Sequence, residues 1–303
     1  MTAETFDPKP GEAIDLAPGL RRILAPNPSP MTYKGTNTYL LGHKNLAIID
    51  PGPDDESHKA AILDAIGAGQ VQSIFVTHSH LDHSPLASTL SLKTNAPVMA
   101  FGDSQSGRSK VMRSLAAGGF TGGGEGVDPF FVPDRRVAEG EFFLNAEWQL
   151  QVLHTPGHMG NHIAIKWGDA IFSGDLVMAW ASSLVSPPDG DLSDFVKSCE
   201  KLKSLNPQIL YPGHGAPIED PISRIDWLLD HRAGRTSELM NALRAEPQSI
   251  DDLTKIVYSD TPKELHPAAA RNVFAHLVDL HERGQVVATP ELSVSAQFSL
   301  AQK

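Results

Sequence analysis

The stretch Thr-His-Ser-His-Leu-Asp-His at residues 77–83 decides the fold of this chain. Histidine makes up 13 of the 303 residues, yet three histidines fall between positions 78 and 83. Imidazole nitrogens and carboxylate oxygens are common ligands of zinc. The preceding residues 73–76 are a short apolar run rich in β-formers, which predicts a buried strand. The stretch therefore predicts a metal site at the end of a strand.

Three later stretches supply further ligand types. His158 follows Thr-Pro-Gly, Asp175 follows Phe-Ser-Gly, and His214 stands in Pro-Gly-His-Gly. Glycine and proline set turns that let the backbone pass close to a crowded site. Each of the three lies just beyond a predicted strand, so we expect all of them to gather at one edge of the sheets.

The first motif offers four ligands from one tight turn. Six residues cannot wrap all four around a single ion without strain, so two adjacent ions are more natural. The ligands are assigned as follows: His78, His80 and His158 to the first ion, Asp82, His83 and His214 to the second, and Asp175 to a bridging position between them.

The residue types also predict a reaction. Two divalent ions about 3.5–4 Å apart lower the pKa of bound water toward about 7 and clamp the attacking and leaving oxygens. A metal-bound hydroxide in such a site suits hydrolysis of an ester, thioester, lactone, amide or phosphodiester. We take Asp82 as a proton acceptor and His162 as a second candidate catalytic residue, through a hydrogen bond to substrate or to a ligand.

Composition restricts the partners. The net charge is −11, with 36 acidic and 25 basic residues, which argues against nucleic acid or an anionic membrane as the main partner. The single cysteine, Cys199, excludes a disulfide framework and a Cys zinc site, and its helical pattern predicts a buried apolar role. No signal peptide and no apolar run of about 18 residues is visible, so we expect a cytoplasmic protein.

Element patterns predict an αββα sandwich followed by a small helical domain. Residues 1–35 are expected to be an irregular arm, and the Gly-rich residues 102–135 a long insertion, either a lid or a surface loop. Two helices, 225–232 and 237–244, are expected after the last strand of the sandwich. The predicted domains are a catalytic domain at 1–230, a winged-helix-like domain at 231–290 and a flexible tail at 291–303.

The metal motifs resemble the metallo-β-lactamase-fold hydrolases residue by residue: His78, His80, Asp82 and His83, then His158, Asp175 and His214. The resemblance covers about residues 14–222 and implies an αββα fold of the α+β class that usually holds zinc. The β-lactamases proper have Cys where Asp175 stands. An Asp there is similar to the glyoxalase II, lactonase and RNase Z branch.

A finer resemblance is to the lactamase-beta-2-like proteins, which include a mitochondrial endoribonuclease. It rests on Gly-Thr-Asn-Thr-Tyr at 35–39, Ile-Asp-Pro-Gly at 49–52, His231 and Arg232 with Arg235, and Leu-His at 265–266 in the helical C-terminal region. We expect His231 and Arg232 to tie the two domains together rather than to bind substrate. One departure is Ser84-Pro85, where the family often has Gly-Gly. This change is expected to alter the start of the following helix without removing a ligand.

The site and the resemblance predict two candidate functions, which differ in the class of substrate. The first is a hydrolase with two zinc ions, or manganese or iron, that acts on a small ester, thioester or lactone. The second is an endoribonuclease for single-stranded RNA, although the predicted C-terminal domain has six basic and eight acidic residues between 235 and 283. A non-hydrolytic metal-binding module is the least favoured function. The expected partner is a small molecule, with RNA and a homodimer left open and no membrane.

Overall fold

The computed structural model describes residues 6–121 and 126–302. Two sheets face each other, and helices cover both outer faces, as the sequence predicts. Gly122, Gly123 and Gly124, which belong to the predicted insertion, lie outside the described residues. None of the helices in these two ranges has both the length and the apolar character that crossing a membrane requires.

The first sheet has seven strands in sequential order. The first four are antiparallel and the last three run parallel to β4. The strands are β1 Ala13–Ala17, β2 Leu20–Leu24, β3 Asn37–Leu41, β4 Asn45–Ile49, β5 Gln70–Phe75, β6 Val98–Ala100 and β7 Arg135–Arg136.

The second sheet has five strands in the order β12-β11-β10-β9-β8. Its members are β8 Phe142–Leu144, β9 Gln149–His154, β10 Ile163–Trp167, β11 Ala170–Gly174 and β12 Ile209–Pro212. Strand β11 is parallel to β12, and both run in the same direction as β9 because β10 is antiparallel to β9 and to β11. The carboxyl ends of β9, β11 and β12 therefore meet at one edge.

Alternation of side chains along the strands builds the layers. In β3, Tyr39 and Leu41 pack between the sheets, whereas Leu40 packs against the helices outside. Successive residues of a strand point to opposite faces, so an apolar run buries both faces of the sheet. Helices α1 Glu56–Ile66 and α2 Leu86–Thr94 cover the outer face of the first sheet.

The outer face of the second sheet is covered by α4 Leu192–Ser204 and by the first half of α5 Pro221–Ala242. Helix α4 begins at Asp191, whose carboxylate accepts hydrogen bonds from the backbone of Ser193 and Asp194. It buries Cys199 completely, and burial raises the pKa of that thiol to about 12. The expected buried apolar role of Cys199 is confirmed.

The C-terminal region is a winged-helix-like unit. Helices α6 Ile250–Val257 and α7 His266–Glu282 pack with the end of α5, and β13 Val286–Thr289 pairs with β14 Gln297–Leu300. The prediction of a flexible tail at 291–303 is therefore wrong for the residues of β14. There, Phe298 is fully buried and pairs with Ala288 across the two strands.

Two further expectations are wrong. The arm at 1–35 contains the hairpin β1–β2, because Pro18 occupies the turn between the strands and leaves their ladder intact. The helices expected at 225–232 and 237–244 are one continuous α5. Gly234 interrupts the pattern, but a glycine inside a helix costs only about 1 kcal/mol, and α5 buries Leu228 and Leu239 on either side of it.

The described part of the predicted insertion contacts both domains. Its helix α3 Lys110–Ala117 packs Met112 and Leu115 into the C-terminal core. Farther along, the backbone of Val127 bridges His80, and Asp128 accepts a hydrogen bond from Ser84 Oγ at 2.9 Å. The insertion thus joins the first metal motif to the winged-helix-like unit.

Candidate metal centre

Four strand ends deliver the predicted ligands to one place. The 77–83 stretch follows β5, and His158, Asp175 and His214 follow β9, β11 and β12. All seven side chains are at least nine-tenths buried. The structure divides them into two groups: His78, His80 and His158 in the first, and Asp82, His83, Asp175 and His214 in the second.

The first group consists of three imidazoles around a common point. His80 Nδ1 lies 3.0 Å from His78 Nε2 and 3.1 Å from His158 Nε2. The second group has similar spacing. His83 Nε2 lies 3.3 Å from His214 Nε2 and 3.3 Å from Asp82 Oδ2.

Asp175 stands between the two groups. Its Oδ2 lies 3.2 Å from His214 Nε2 and 3.7 Å from His158 Nε2, and its Oδ1 lies 3.5 Å from His83 Nε2. Oδ1 is buried without a hydrogen-bond partner. A carboxylate with one oxygen unsatisfied and contacts to both groups fits the bridging position expected from the sequence.

The turns at this edge require glycine. Gly157, before His158, has φ +143°, and a Cβ there would lie 2.3 Å from Phe195 Cα. At Gly213 a Cβ would lie 2.3 Å from Asp175 Oδ1 and 2.7 Å from His83 Cε1. The backbone before His214 therefore passes too close to the second group for any side chain.

Hydrogen bonds outside the groups orient three of the imidazoles. His158 Nδ1 donates to Leu184 O at 2.7 Å, and His214 Nδ1 donates to Gly35 O at 3.1 Å. His83 Nδ1 donates to Asp50 Oδ2 at 3.0 Å. Each bond places a proton on Nδ1 and turns Nε2 toward the group, which is the orientation of metal-binding histidines.

Asp50 also anchors the start of the motif. Its Oδ1 accepts from Thr77 N at 2.7 Å, and its Oδ2 accepts from Thr77 Oγ1 at 2.8 Å. Because the Thr77 hydroxyl gives its proton to Asp50, it accepts from His78 Nδ1 at 3.0 Å. Asp50 thus orients His83 directly and His78 through Thr77.

The electrostatics of the two groups differ. Burial lowers the pKa of His78 well below its ordinary value and the pKa of His80 to about 3. Burial also acts on His83 and His214, but Asp82 and Asp175 outweigh it and raise the pKa of His83 well above its ordinary value and that of His214 to about 10. The first group is therefore neutral, whereas the carboxylates of the second group need positive charge nearby.

The donor set fits two metal ions. A tetrahedral ion with bonds of about 2.0–2.2 Å holds its ligand atoms roughly 3.3–3.6 Å apart. The described spacings within the groups run from 3.0 Å at His78–His80 to 3.5 Å at His83–Asp175. The first group already has the neutral imidazoles that metal binding requires, and in the second group a bound cation would replace the protons that the carboxylates hold on His83 and His214. The site is thus capable of holding two ions.

His162 lies beside the site and makes one of the two contacts expected of it, a hydrogen bond to a ligand residue. Its Nε2 accepts from Asp175 N at 3.2 Å, so its Nδ1 donates to Thr155 Oγ1 at 2.9 Å. Both ring nitrogens are therefore used within the protein, and the fully buried ring does not line the cavity. The structure makes His162 a positioning residue for Asp175.

A cavity of about 250 Å³ opens above the two groups. Five proposed ligands reach it: His80, Asp82, His158, Asp175 and His214. Much of its wall was missed by reasoning from sequence: Met31, Met178, Trp180, Tyr258, Leu265, Ala268 and Ala269. Of these residues, only Leu265 belongs to a motif quoted from the sequence, the Leu-His pair at 265–266.

Arg232 ties the two units together, as expected. It is 2% exposed, and its guanidinium donates to Asn272 Oδ1 at 3.0 Å and to Ser182 O at 2.8 Å. His231, expected to share this role, stacks on Trp227 of the same helix instead.

Comparison with known proteins identifies both units. Residues 31–214 match the family model described as metallo-beta-lactamase superfamily, and residues 249–293 match the beta-lactamase associated winged helix domain. A "Beta-lactamase-like protein 2 homolog" of Drosophila melanogaster is 31% identical over 277 residues, which cover 88% of each chain. Its Caenorhabditis elegans namesake is 29% identical over 282 residues, 89% of this chain and 87% of that protein.

A third relative carries a named activity. An "Atrochrysone carboxyl ACP thioesterase" of Aspergillus fumigatus is 27% identical over 237 residues, 76% of this chain and 66% of that protein. Among solved structures, a metallo-beta-lactamase family protein of Thermus thermophilus has a TM-score of 0.76 at 25% identity, covering 94% of this chain and 100% of its own. By its motifs, its fold and these matches, the chain belongs to the metallo-beta-lactamase superfamily, with hydrolases among its relatives.

Proposed function

We propose that this protein hydrolyses a small ester, thioester or lactone with two metal ions held by the seven grouped side chains. The observation that carries the proposal is the convergence of both ligand groups, with Asp175 between them, on the floor of a small cavity. The match to a fungal protein named as a thioesterase supports this class of substrate.

The residues would act in distinct ways. His78, His80 and His158 would hold one ion, and Asp82, His83 and His214 the other, with Asp175 bridging. Bound divalent ions would supply a water of lowered pKa and would polarise the substrate carbonyl. Asp82, which lines the cavity and accepts from Thr36 Oγ1 at 3.4 Å, is the proposed proton acceptor.

We propose zinc as the native metal, because five imidazoles and two carboxylates suit it well. Manganese and iron bind the same ligand types, so metal analysis of purified protein by mass spectrometry decides among the three. Two equivalents of iron would contradict the assignment of zinc.

Cleavage of single-stranded RNA is the weaker function. It rests on the resemblance to lactamase-beta-2-like proteins and on the two animal relatives named "Beta-lactamase-like protein 2 homolog". Among the cavity-lining residues in the described part of the chain, none is Lys or Arg. Phosphate binding ordinarily uses such cations, and its affinity falls steeply with salt.

A substrate panel tests the proposal. Metal-loaded protein is expected to hydrolyse at least one small ester, thioester or lactone, and Asp175→Ala is expected to abolish this activity. Asp230→Ala, which removes an exposed carboxylate on α5, is the control and is expected to retain activity. Cleavage of unstructured RNA together with no turnover of the small substrates would contradict the proposal.

A further inference from the structure

Away from its floor, the cavity above the ligand groups is lined mainly by apolar side chains, and its polar members, Ser182, Ser183, Thr261 and Asn272, are uncharged. Met31, Met178 and Trp180 line it from the catalytic domain. Tyr258, Leu265 and Ala268 line it from the C-terminal unit. The wall that faces the proposed ions is therefore shared between two domains.

This wall offers no counter-ion. Apart from Asp82 and Asp175 on the floor, the lining within the described ranges contains no Asp, Glu, Lys or Arg. A charged group placed there would lose its hydration, and no ion pair with the wall would compensate for that loss. An apolar group gains free energy on leaving water for the same surface. The lining thus selects a neutral, apolar part of a substrate.

The C-terminal part of the wall is held firmly. Tyr258 is 8% exposed, and the Arg235 guanidinium lies 4.4 Å from its ring centroid. Leu265 and Ala268 flank the start of α7, and α7 is fixed by the bond between Asn272 and Arg232. A wall fixed in this way can discriminate by size.

We propose that the winged-helix-like unit forms the acyl-binding wall of the active site, and that the substrate is a thioester or ester with a neutral apolar acyl group of short to medium length. This inference rests on the proposed function. The volume of about 250 Å³ lies just below the usual range for drug-sized ligands, roughly 300–1,000 Å³, and is matched best by an acyl group of short to medium length. In the reaction, water adds its hydroxyl to the acyl carbon as the C–S or C–O bond breaks, and the thiol or alcohol leaves with the remaining proton.

A chain-length series on one thiol tests the inference. Acetyl, butanoyl, hexanoyl and octanoyl thioesters are compared with a succinyl thioester, which has a four-carbon acyl group like butanoyl but carries a carboxylate. For wild type, kcat/KM is expected to rise with chain length until the cavity is filled, and the succinyl thioester is expected to fall at least about tenfold below butanoyl.

Two substitutions change the wall in opposite directions. Ala268→Leu narrows the cavity and is expected to lower kcat/KM for octanoyl thioester about 10- to 200-fold, mainly through KM, and to lower it far less for acetyl thioester. Leu265→Ala widens the cavity and is expected to shift the preference toward longer chains. Ala233→Leu adds the same side chain at an exposed position of α5 and is expected to change nothing.

Calorimetry with a non-hydrolysable octanoyl amide separates this inference from the proposed function. If no thioester or ester is cleaved, but the amide binds and Ala268→Leu weakens its binding, the apolar wall stands and the proposed hydrolysis fails. If acetyl, octanoyl and succinyl thioesters are cleaved equally and neither wall substitution matters, hydrolysis stands and the acyl wall is overturned.

Discussion

Arg232 of α5 donates a hydrogen bond to Asn272 Oδ1 of α7 at 3.0 Å, and the same oxygen accepts from Val185 N at 3.1 Å. Arg232 also binds the carbonyls of Ser182 and Ser183. These contacts fix residues 182–185, whose Leu184 carbonyl accepts from His158 Nδ1. A helix of the C-terminal unit is therefore connected to one ligand group through a single loop.

Asn272→Ala tests this connection. The change removes an acceptor from a buried guanidinium and leaves Val185 N unpaired, which costs about 1–3 kcal/mol of unfolding free energy. It is expected to weaken metal binding by the His158 group about 10- to 100-fold, measured by competition with a chelator. Asn241→Ala, at an exposed position of α5, is the control. Unchanged metal affinity in Asn272→Ala would show that the loop holds His158 without this contact.

Asp50→Asn is expected to act on the other group. The amide can still accept from Thr77 N, but it loses the negative charge that orients His83 Nδ1. Metal affinity of the second group should fall about 10- to 100-fold. Titration with cobalt, followed by its absorption spectrum, is expected to show one tight and one weakened ion. Two ions of wild-type affinity would refute a supporting role for Asp50.

Paired glycine substitutions compare a crowded and an open position. Gly213→Ala places a Cβ 2.3 Å from Asp175 Oδ1, so the protein is expected to lose metal at the second group. Gly234→Ala meets nothing within 4 Å and lies inside α5, so it is expected to raise the unfolding free energy by about 0.5–1 kcal/mol with full metal content. Chemical denaturation and metal analysis of both variants check the pair. Full metal content in Gly213→Ala would mean that the turn can move away.

His58 predicts a pH dependence of stability. Burial lowers its pKa from 6.5 to about 4. Its Nε2 lies 2.8 Å from Thr38 Oγ1, which donates to Asp50 O, and its Nδ1 has no hydrogen-bond partner. As the pH falls below 6.5, His58 binds a proton in the unfolded chain, but in the folded protein it does so only near pH 4. Protonation therefore favours the unfolded chain, and the unfolding free energy falls as the pH falls through that range.

Metal-free wild type and His58→Gln are compared by urea denaturation. Between pH 7 and 4.5, wild type is expected to lose about 2–3 kcal/mol more than the variant. Between pH 7 and 8 the difference between the two proteins should stay constant, because the imidazole is neutral in both states. Parallel pH profiles from 7 to 4.5 would contradict the lowered pKa.

The grouping of the seven candidate ligands could be predicted from sequence because the signals for it are local. Two patterns can each be recognised within a few residues: closely spaced histidines after an apolar strand, and a His or Asp beside glycine at the end of another strand. The β1–β2 hairpin was missed because its strands are short and lie among prolines. Continuity of α5 across Gly234 depends on packing on both sides, which no local pattern reveals.

The cavity wall could not be predicted for a different reason. Met31, Trp180 and Leu265 are separated by long stretches of chain; the first two stand in turns or bends, and Leu265 ends a short 3-10 helix. Their common surface exists only after the two units pack together. His162 was placed near the site correctly, but the orientation of its ring, which decides between catalysis and positioning, is set by Thr155 and the backbone of Asp175.

The most direct test of the central claim is the number of zinc ions bound per chain at equilibrium, measured by dialysis and mass spectrometry for wild type, His158→Ala and His214→Ala. The two-group site predicts two ions for wild type and one for each variant, since each substitution removes a ligand from one group. Wild type that binds no zinc, or variants that both keep two ions with wild-type affinity, would contradict it.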